Sequence, residues 1–238
     1  MIPHTIHYCW FGRNPKPKLI TDCIESWKKY CPGWEIKEWN EDNYDVYKND
    51  YIKGAYESQK WAFVADYARF DVLNQYGGVY FDTDVELLKP IPDYLMEEEA
   101  FSGFELEDKV NPGLVYGTIS KQKVLAKVLK KYEEASFGQI SNVVNLLSEI
   151  LVEEGLKGNN LDQTVGGVRI LPTEYFGCYN HEIQNFEKTD NTISIHHYYA
   201  SWIPWYRIFK YKVVIRYTAA LLGKDRYLRL KHAIKRKK

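Results

Sequence analysis

The stretch Trp61-Ala62-Phe63-Val64-Ala65-Asp66-Tyr67-Ala68-Arg69-Phe70-Asp71-Val72-Leu73-Asn74-Gln75-Tyr76-Gly77-Gly78-Val79-Tyr80-Phe81-Asp82-Thr83-Asp84 changes its periodicity at one pair of glycines. Before the glycines, Ala65, Ala68, Val72, Leu73 and Tyr76 recur at helical spacing, which predicts a helix over about 61–76 with an apolar stripe against a sheet. Gly77-Gly78 closes it, because glycine takes positive φ at a helix end without steric cost. Val79-Tyr80-Phe81 then reads as a short apolar strand, so Asp82 and Asp84 fall at its carboxyl end. In open α/β sheets that end is where ligands bind.

Outward from this hinge, strands and helices alternate. Thr5 to Trp10 reads as a strand, Leu19 to Tyr30 as a helix stopped by Cys31-Pro32-Gly33, and Trp34 to Trp39 as a half-buried strand. Downstream, 100–104 and 114–119 are expected as strands, 121–134 and 140–153 as helices, and 168–171 and 192–197 as late strands. The alternation predicts one α/β domain over 1–202, with 203–238 as an extension. At 238 residues the chain is long enough to bury a substantial core.

Charge is balanced at 32 basic and 32 acidic residues but unevenly placed. Residues 203–238 hold 12 Lys/Arg against one Asp, leaving 20 basic and 31 acidic side chains in the rest. Aromatics mixed with Lys and Arg from Ile203 to Phe209, then Arg226 to Lys238, suggest amphipathic helices lying on an anionic membrane surface. No recognised nucleic-acid module accompanies this tail, so nucleic acid is not the expected partner. Four cysteines without zinc-type spacing point to reduced thiols. With no signal-like N-terminus and no spanning run, the expected location is cytoplasmic, peripheral at the inner face of the cell membrane.

Two carboxylates one residue apart cannot share a face of a straight strand, but in a turn just past it both can converge on a cation. Such hard donors suit Mg²⁺ or Mn²⁺ and leave positions for phosphate oxygens. A solvated Asp-Thr-Asp turn is the plainer alternative. Asp66 and Arg69 lie three apart on one face of the preceding helix, either as a surface ion pair or as an Arg within reach of a sugar or phosphate. In His196-His197-Tyr198-Tyr199-Ala200-Ser201-Trp202, one histidine is a candidate third metal ligand, since manganese accepts imidazole beside carboxylates. Packing alone would also account for the pair.

Four blocks in order, Ile2-Pro3-His4-Thr5-Ile6-His7-Tyr8-Cys9-Trp10-Phe11-Gly12, Ala65 to Arg69, Gly77 to Asp84, and His196-His197 through Ser201-Trp202, resemble glycosyltransferase family 32. The resemblance covers about 1–95 and, more loosely, 160–202. It implies a GT-A-type α/β fold, with a mixed, mostly parallel central sheet flanked by helices, here followed by a basic, aromatic helical tail. It further implies a nucleotide-sugar donor, UDP-hexose by preference, and Mn²⁺ or Mg²⁺. Transfer with retention would go to a saccharide or lipid-linked saccharide of a surface polysaccharide such as a capsule. By the same resemblance Asp84 would bind the metal directly, and Asp82 would contact the donor ribose and reach the metal. Asp66 and Arg69 would hold the sugar and its phosphate oxygens. Trp10 would stack on or line the base, Tyr80 would sit beside the nucleotide, and Trp202 would lie near the leaving phosphate. His197, five before Trp202, would be the third metal ligand, a departure from the carboxylate found in the wider group.

Val79 to Val85 also fits the first motif of haloacid-dehalogenase-like phosphatases, with Asp82 as nucleophile and Asp84 as general acid. That motif opens its domain, whereas here 78 residues precede it, and no late strand ends in paired acidic residues. A non-catalytic sugar-nucleotide-binding protein is the other alternative, against which Asp66, Arg69, Asp82 and Asp84 argue. Residues 105–118, with Asn111-Pro112-Gly113, are expected to shape the sugar and acceptor pocket.

Overall fold

A computed structural model of the chain describes residues 1–140, 142–199 and 215–235, the last four without their side chains. The first half runs β1 (Thr5–Cys9), α1 (Lys18–Tyr30), β2 (Glu35–Trp39), α2 (Asp50–Glu57), α3 (Trp61–Tyr76), β3 (Gly78–Tyr80), β4 (Val85–Leu87), α4 (Asp93–Met96), β5 (Ala100–Leu106), β6 (Lys109–Val110) and β7 (Tyr116–Thr118). The second half adds α5 (Lys123–Glu133), α6 (Val143–Glu153), β8 (Gln163–Val165), β9 (Val168–Leu171), α7 (Thr173–Phe176), β10 (Tyr179–Asn180), β11 (Asn185–Phe186), β12 (Ser194–His196), α8 (Ile215–Leu222) and α9 (Lys224–Lys235).

The main sheet has the order β2-β1-β3-β7-β5-β9-β8, with β6 added beside β5. Strands β2, β1, β3, β5 and β9 run one way, while β7 and β8 oppose them. The sheet is therefore the mixed, mostly parallel one that the resemblance implies, within the α/β domain that the alternation of elements predicts. Successive residues of a strand face opposite sides, and two apolar clusters result. Val79 and Phe101 join Ile20, Trp27 and Phe176 in one, while Tyr80 and Ala100 join Phe70, Leu73, Leu125 and Leu147 in the other.

Helix α3 departs from the single stripe expected of it. Val64, Tyr67, Ala68, Arg69, Phe70, Asp71, Val72 and Leu73 are all buried, while Tyr76 is half exposed. Strands β1 and β3 lie against one side of the helix and α2 and α5 against others, so it is covered nearly all round. Its end is pinned by His7. The His7 Nε2 donates to the Gly77 carbonyl at 2.9 Å, and its Nδ1 accepts from Trp39 Nε1 at 3.1 Å. Gly78, at φ +102°, lies so close that a Cβ would come within 2.8 Å of that Nε2 and 2.7 Å of the Thr5 carbonyl oxygen. No bulkier residue could thread the chain from helix to strand at this point.

Strand β4 pairs antiparallel with β12, His196 opposite Val85, outside the main sheet. The acidic pair thus sits in the turn between two sheets, and its two aspartates are supported from different sides. All four cysteines are buried free thiols, and burial pushes Cys9 and Cys23 up to about 12. Among the described residues no helix is long and apolar enough to cross a membrane.

Candidate active site

Strands β1 and β3 are parallel neighbours, so Trp10 and Asp82, just past their ends, emerge at one edge of the sheet. The turn after β3 closes with Val85 N–H donating to the Asp82 carbonyl at 3.0 Å. Asp82 is held from the loop before β7, its N–H donating to the Gly113 carbonyl at 3.0 Å. Asp84 is held by the segment after β12. Its carbonyl accepts from His197 N–H at 3.0 Å, and its Oδ2 accepts from Tyr199 N–H at 2.8 Å.

Arg69 rises from α3 beneath the turn. Its side chain is 4% exposed, and Nη2 donates to Asp82 Oδ1 at 2.8 Å and lies 3.0 Å from Asp66 Oδ1. The guanidinium carbon stands 4.8 Å from the Tyr80 ring centre. Buried Nε and Nη1 carry no protein hydrogen bond. The i, i+3 pair is therefore no surface bridge; it is a buried cation shared by two carboxylates. Burial pushes Asp66 up to about 6, against the pull of Arg69, with Asp82 adding to the rise. Burial alone would lower the basicity of Arg69, but Asp82 and then Tyr80 and Asp66 outweigh it, so the guanidinium stays charged.

At Asp84, burial alone would raise the carboxyl, but His196 outweighs it and holds the group down to about 2. An ionised carboxylate only accepts, so the His196 Nε2, 2.9 Å from Asp84 Oδ1, carries the proton between them. Burial pulls His196 down, yet the Asp84 charge raises it above its ordinary value. The structure thus brings the His196 ring to the Asp84 carboxylate, while His197 meets Asp84 through its backbone N–H. His197 shares its face of the β4–β12 ladder with Glu86 and meets it diagonally, Nε2 to Oε2 at 2.9 Å. His196 is on the opposite face, toward which the turn carries the Asp84 carboxylate.

Trp10 is half-buried, its Nε1 donating to the Asn14 carbonyl at 2.7 Å and Lys16 Nζ standing 5.7 Å from its ring. Tyr80, expected beside a nucleotide, is 1% exposed and lies under Arg69 as part of the core. Trp202 lies outside the described residues. The structure adds residues that the sequence left without roles. A Cβ on Gly113 would lie 2.0 Å from Asp82 Oδ2, so the chain passes directly against that carboxylate. Asn111 Oδ1 accepts from Gly113 N–H at 2.7 Å, Asn111 Nδ2 donates to Glu105 Oε1 at 3.1 Å, and Tyr198 OH donates to the same oxygen at 2.7 Å. Asn-Pro-Gly marked a turn in the sequence, but nothing there tied the turn to Asp82.

Among the described residues no three of His, Cys, Asp and Glu converge as a metal cluster. A hard divalent cation in a phosphate-transfer site is held by one or two carboxylates and completed by substrate phosphates and water, not by an all-protein cage. Asp82 and Asp84 fit that donor set, and Asp84 is ionised across the physiological range.

Residues 17–102 match the family described as glycosyltransferase sugar-binding region containing DXD motif. The chain is 24% identical to an uncharacterized glycosyltransferase of Acanthamoeba polyphaga mimivirus, covering 88% of this chain and 87% of that protein. It is 30% identical to inositol phosphoceramide mannosyltransferase 1 of Schizosaccharomyces pombe over 42% of this chain and 33% of that one. Among solved structures, the PaToxG glycosyltransferase is similar at TM-score 0.48 and 16% identity, over 65% of this chain and 69% of that one. A glycosyltransferase involved in the glycosylation of the major capsid of PBCV-1 is similar at TM-score 0.47 and 12% identity, over 80% of this chain and 92% of that one. Residues 17–102, Asp82 and Asp84 among them, are thus similar to the DXD-containing sugar-binding region of glycosyltransferases.

Proposed function

We propose that the chain is a metal-dependent hexosyltransferase that takes its sugar from a nucleotide-sugar donor at the Asp82–Asp84 turn. The observation that carries the reading is the buried Arg69, tied by one nitrogen to Asp66 and Asp82 and bearing other N–H groups without protein partners. Breaking the sugar–phosphate bond leaves negative charge on a nucleoside diphosphate. Donors fixed in a low-dielectric site stabilise that charge without reorganising as it develops. Arg69 supplies such donors, and Asp66 and Asp82 hold it still. Asp82 and Asp84 would hold Mn²⁺ or Mg²⁺, which when bound acts as a Lewis acid on the leaving phosphates. His196 keeps Asp84 ionised and oriented. Trp10, at the same sheet edge, lines the nucleotide side of the site, while Tyr80 acts through Arg69.

Retention, a uridine-linked donor and a saccharide or lipid-linked acceptor in surface polysaccharide synthesis rest on the resemblance of the four sequence blocks to family 32. The division into a catalytic domain over 1–202 and a basic extension over 203–238 that rests on the inner face of an anionic membrane belongs to the same reading. A ligand that binds only the folded state at a hundred times its Kd stabilises by about 2.7 kcal/mol. UDP-hexose is therefore expected to raise the melting temperature with Mn²⁺ present and to lose that effect with EDTA or in Asp84→Ala. An equal rise with EDTA would refute metal-assisted donor binding, and a rise with a phosphomonoester alone would favour the phosphatase reading.

A further inference from the structure

Asp82 and Asp84 are steadied from opposite sides, and the two supports meet at one residue outside the motif. On the Asp82 side, the Gly113 backbone abuts the carboxylate, and Asn111 Oδ1 accepts from Gly113 N–H at 2.7 Å. On the Asp84 side, Tyr199 N–H donates to its Oδ2 and His196 to its Oδ1, and the Tyr198 ring centre lies 4.1 Å from that of His196. Tyr198 holds this place at φ +49°, a conformation that a tyrosine adopts only under constraint. Both supports end on Glu105. Its Oε1 accepts from Asn111 Nδ2 at 3.1 Å and from Tyr198 OH at 2.7 Å.

The backbone also singles out this position. Between Phe104 and Leu106 the pairing of β5 with β6 shifts register, so Glu105 sits in a bulge. Bulges re-aim a side chain and concentrate beside functional sites. Glu105 is 14% exposed at its side chain, sheltered enough for its hydrogen bonds to resist competition from water.

We propose that Glu105 is the positioning residue that locks both aspartates of the pair at once, through Asn111 to Asp82 and through Tyr198 to Asp84. Its one oxygen couples the loop before β7 to the segment after β12, which no backbone ladder joins among the described residues. The functional consequence rests on the transferase reading; the coupling itself does not.

Amide hydrogen exchange tests the coupling without reference to activity. The reporters are the Asp82 N–H, bonded to Gly113, and the Tyr199 N–H, bonded to Asp84, with Trp10 N–H, bonded to Trp39, as control. In Glu105→Ala both reporters are expected to exchange about tenfold faster or more, while the control is unchanged. Glu105→Gln keeps an oxygen that accepts both bonds, and is expected within about threefold of the wild type at both reporters. Tyr198→Phe removes one arm and is expected to loosen Tyr199 alone. Should Glu105→Ala fail to fold, the contrast between Glu105→Gln and Tyr198→Phe still decides the matter. Unchanged exchange in Glu105→Ala, a change at one reporter only, or a Gln variant as loose as the Ala variant overturns the proposal. Donor turnover measured beside it is expected to fall about 10–100-fold in Glu105→Ala and to recover in Glu105→Gln. Absence of turnover in the wild type would count against the transferase reading alone.

Discussion

Gly113 and Asp82 share a space that admits no further atom. A methyl group on Gly113 would stand 2.0 Å from Asp82 Oδ2, and the far end of that side chain would have to swing aside. Gly113→Ala is expected to cut donor turnover about 10–100-fold, with a melting temperature within a few degrees of the wild type, because the displaced group is a terminal carboxylate and not backbone. Arg69 behaves differently. Arg69→Met leaves Asp66 and Asp82 facing each other without their shared cation, and urea denaturation at pH 7 is expected to show a loss of about 3 kcal/mol. Asp66, already raised to about 6, takes a proton readily once the cation is gone, so the deficit should be smaller at pH 5. Asp66, Arg69, Asp82 and Asp84 were legible in the sequence because helical spacing and the end of an apolar strand put them together. Glu105 and Gly113 fell in the segment expected to shape the pocket and Tyr198 in the last block, but none of the three had a legible role. They arrive from a bulge, a turn and a positive-φ residue, none of which leaves a periodic trace.

At the scale of the elements, His7 ties β1 to β2 and to the end of α3 and must stay neutral to do it. Its Nε2–H donates while its Nδ1 accepts, so a second proton would break the bond from Trp39. Burial lowers it to about 4. The unfolded chain takes a proton near the ordinary value of about 6.5, so stability from this group is complete above about 6.5. It declines by up to about 3 kcal/mol as pH falls toward about 4. Urea midpoints across that range are expected to show this slope and to lose it in His7→Asn; an unchanged slope in the variant would contradict the assignment. The elements around His7 were read correctly because α1 carries a helical stripe and β2 alternates in sequence, with β1 a short apolar run before them. The helix α2 escaped notice because it is 8 residues long with a glycine inside, and its start is marked only by Asn49, whose side chain accepts from Ile52 N–H. β4 is 3 residues long and follows the acidic pair directly, too short for alternation to show. Without β4 the partner of 194–196 could not be read, so the expectation fell on His197, whereas the ring that meets Asp84 is that of His196.

Among the described residues, the acidic body and the basic C-terminal segment meet through two ion pairs. Lys224 pairs with Glu187, and Lys231 Nζ lies 3.7 Å from Glu182 Oε1. Arg226 and Arg229 remain exposed, as do Tyr217, Leu221 and Leu230 at 67, 85 and 48%. Apolar side chains among unspent cations suit an anionic bilayer surface, where each cation near the surface contributes about 1 kcal/mol. Leu221→Glu combined with Leu230→Glu is expected to lower co-sedimentation with phosphatidylserine-containing vesicles about tenfold or more, and added salt should weaken the wild type in the same direction. Equal binding to neutral vesicles, or no change in the double variant, would remove the membrane from the account. The charge asymmetry was plain in the sequence. What the sequence could not give was which cations the body already uses.

Release of nucleoside diphosphate is the direct readout of the acidic pair. UDP- and GDP-sugars would be offered in turn with Mn²⁺ or with EDTA, to the wild type and to Asp84→Ala. Release from one donor, dependent on the metal and lost in the variant, is expected. Release that persists in Asp84→Ala, or phosphate freed from a phosphomonoester with every sugar nucleotide left intact, would contradict it.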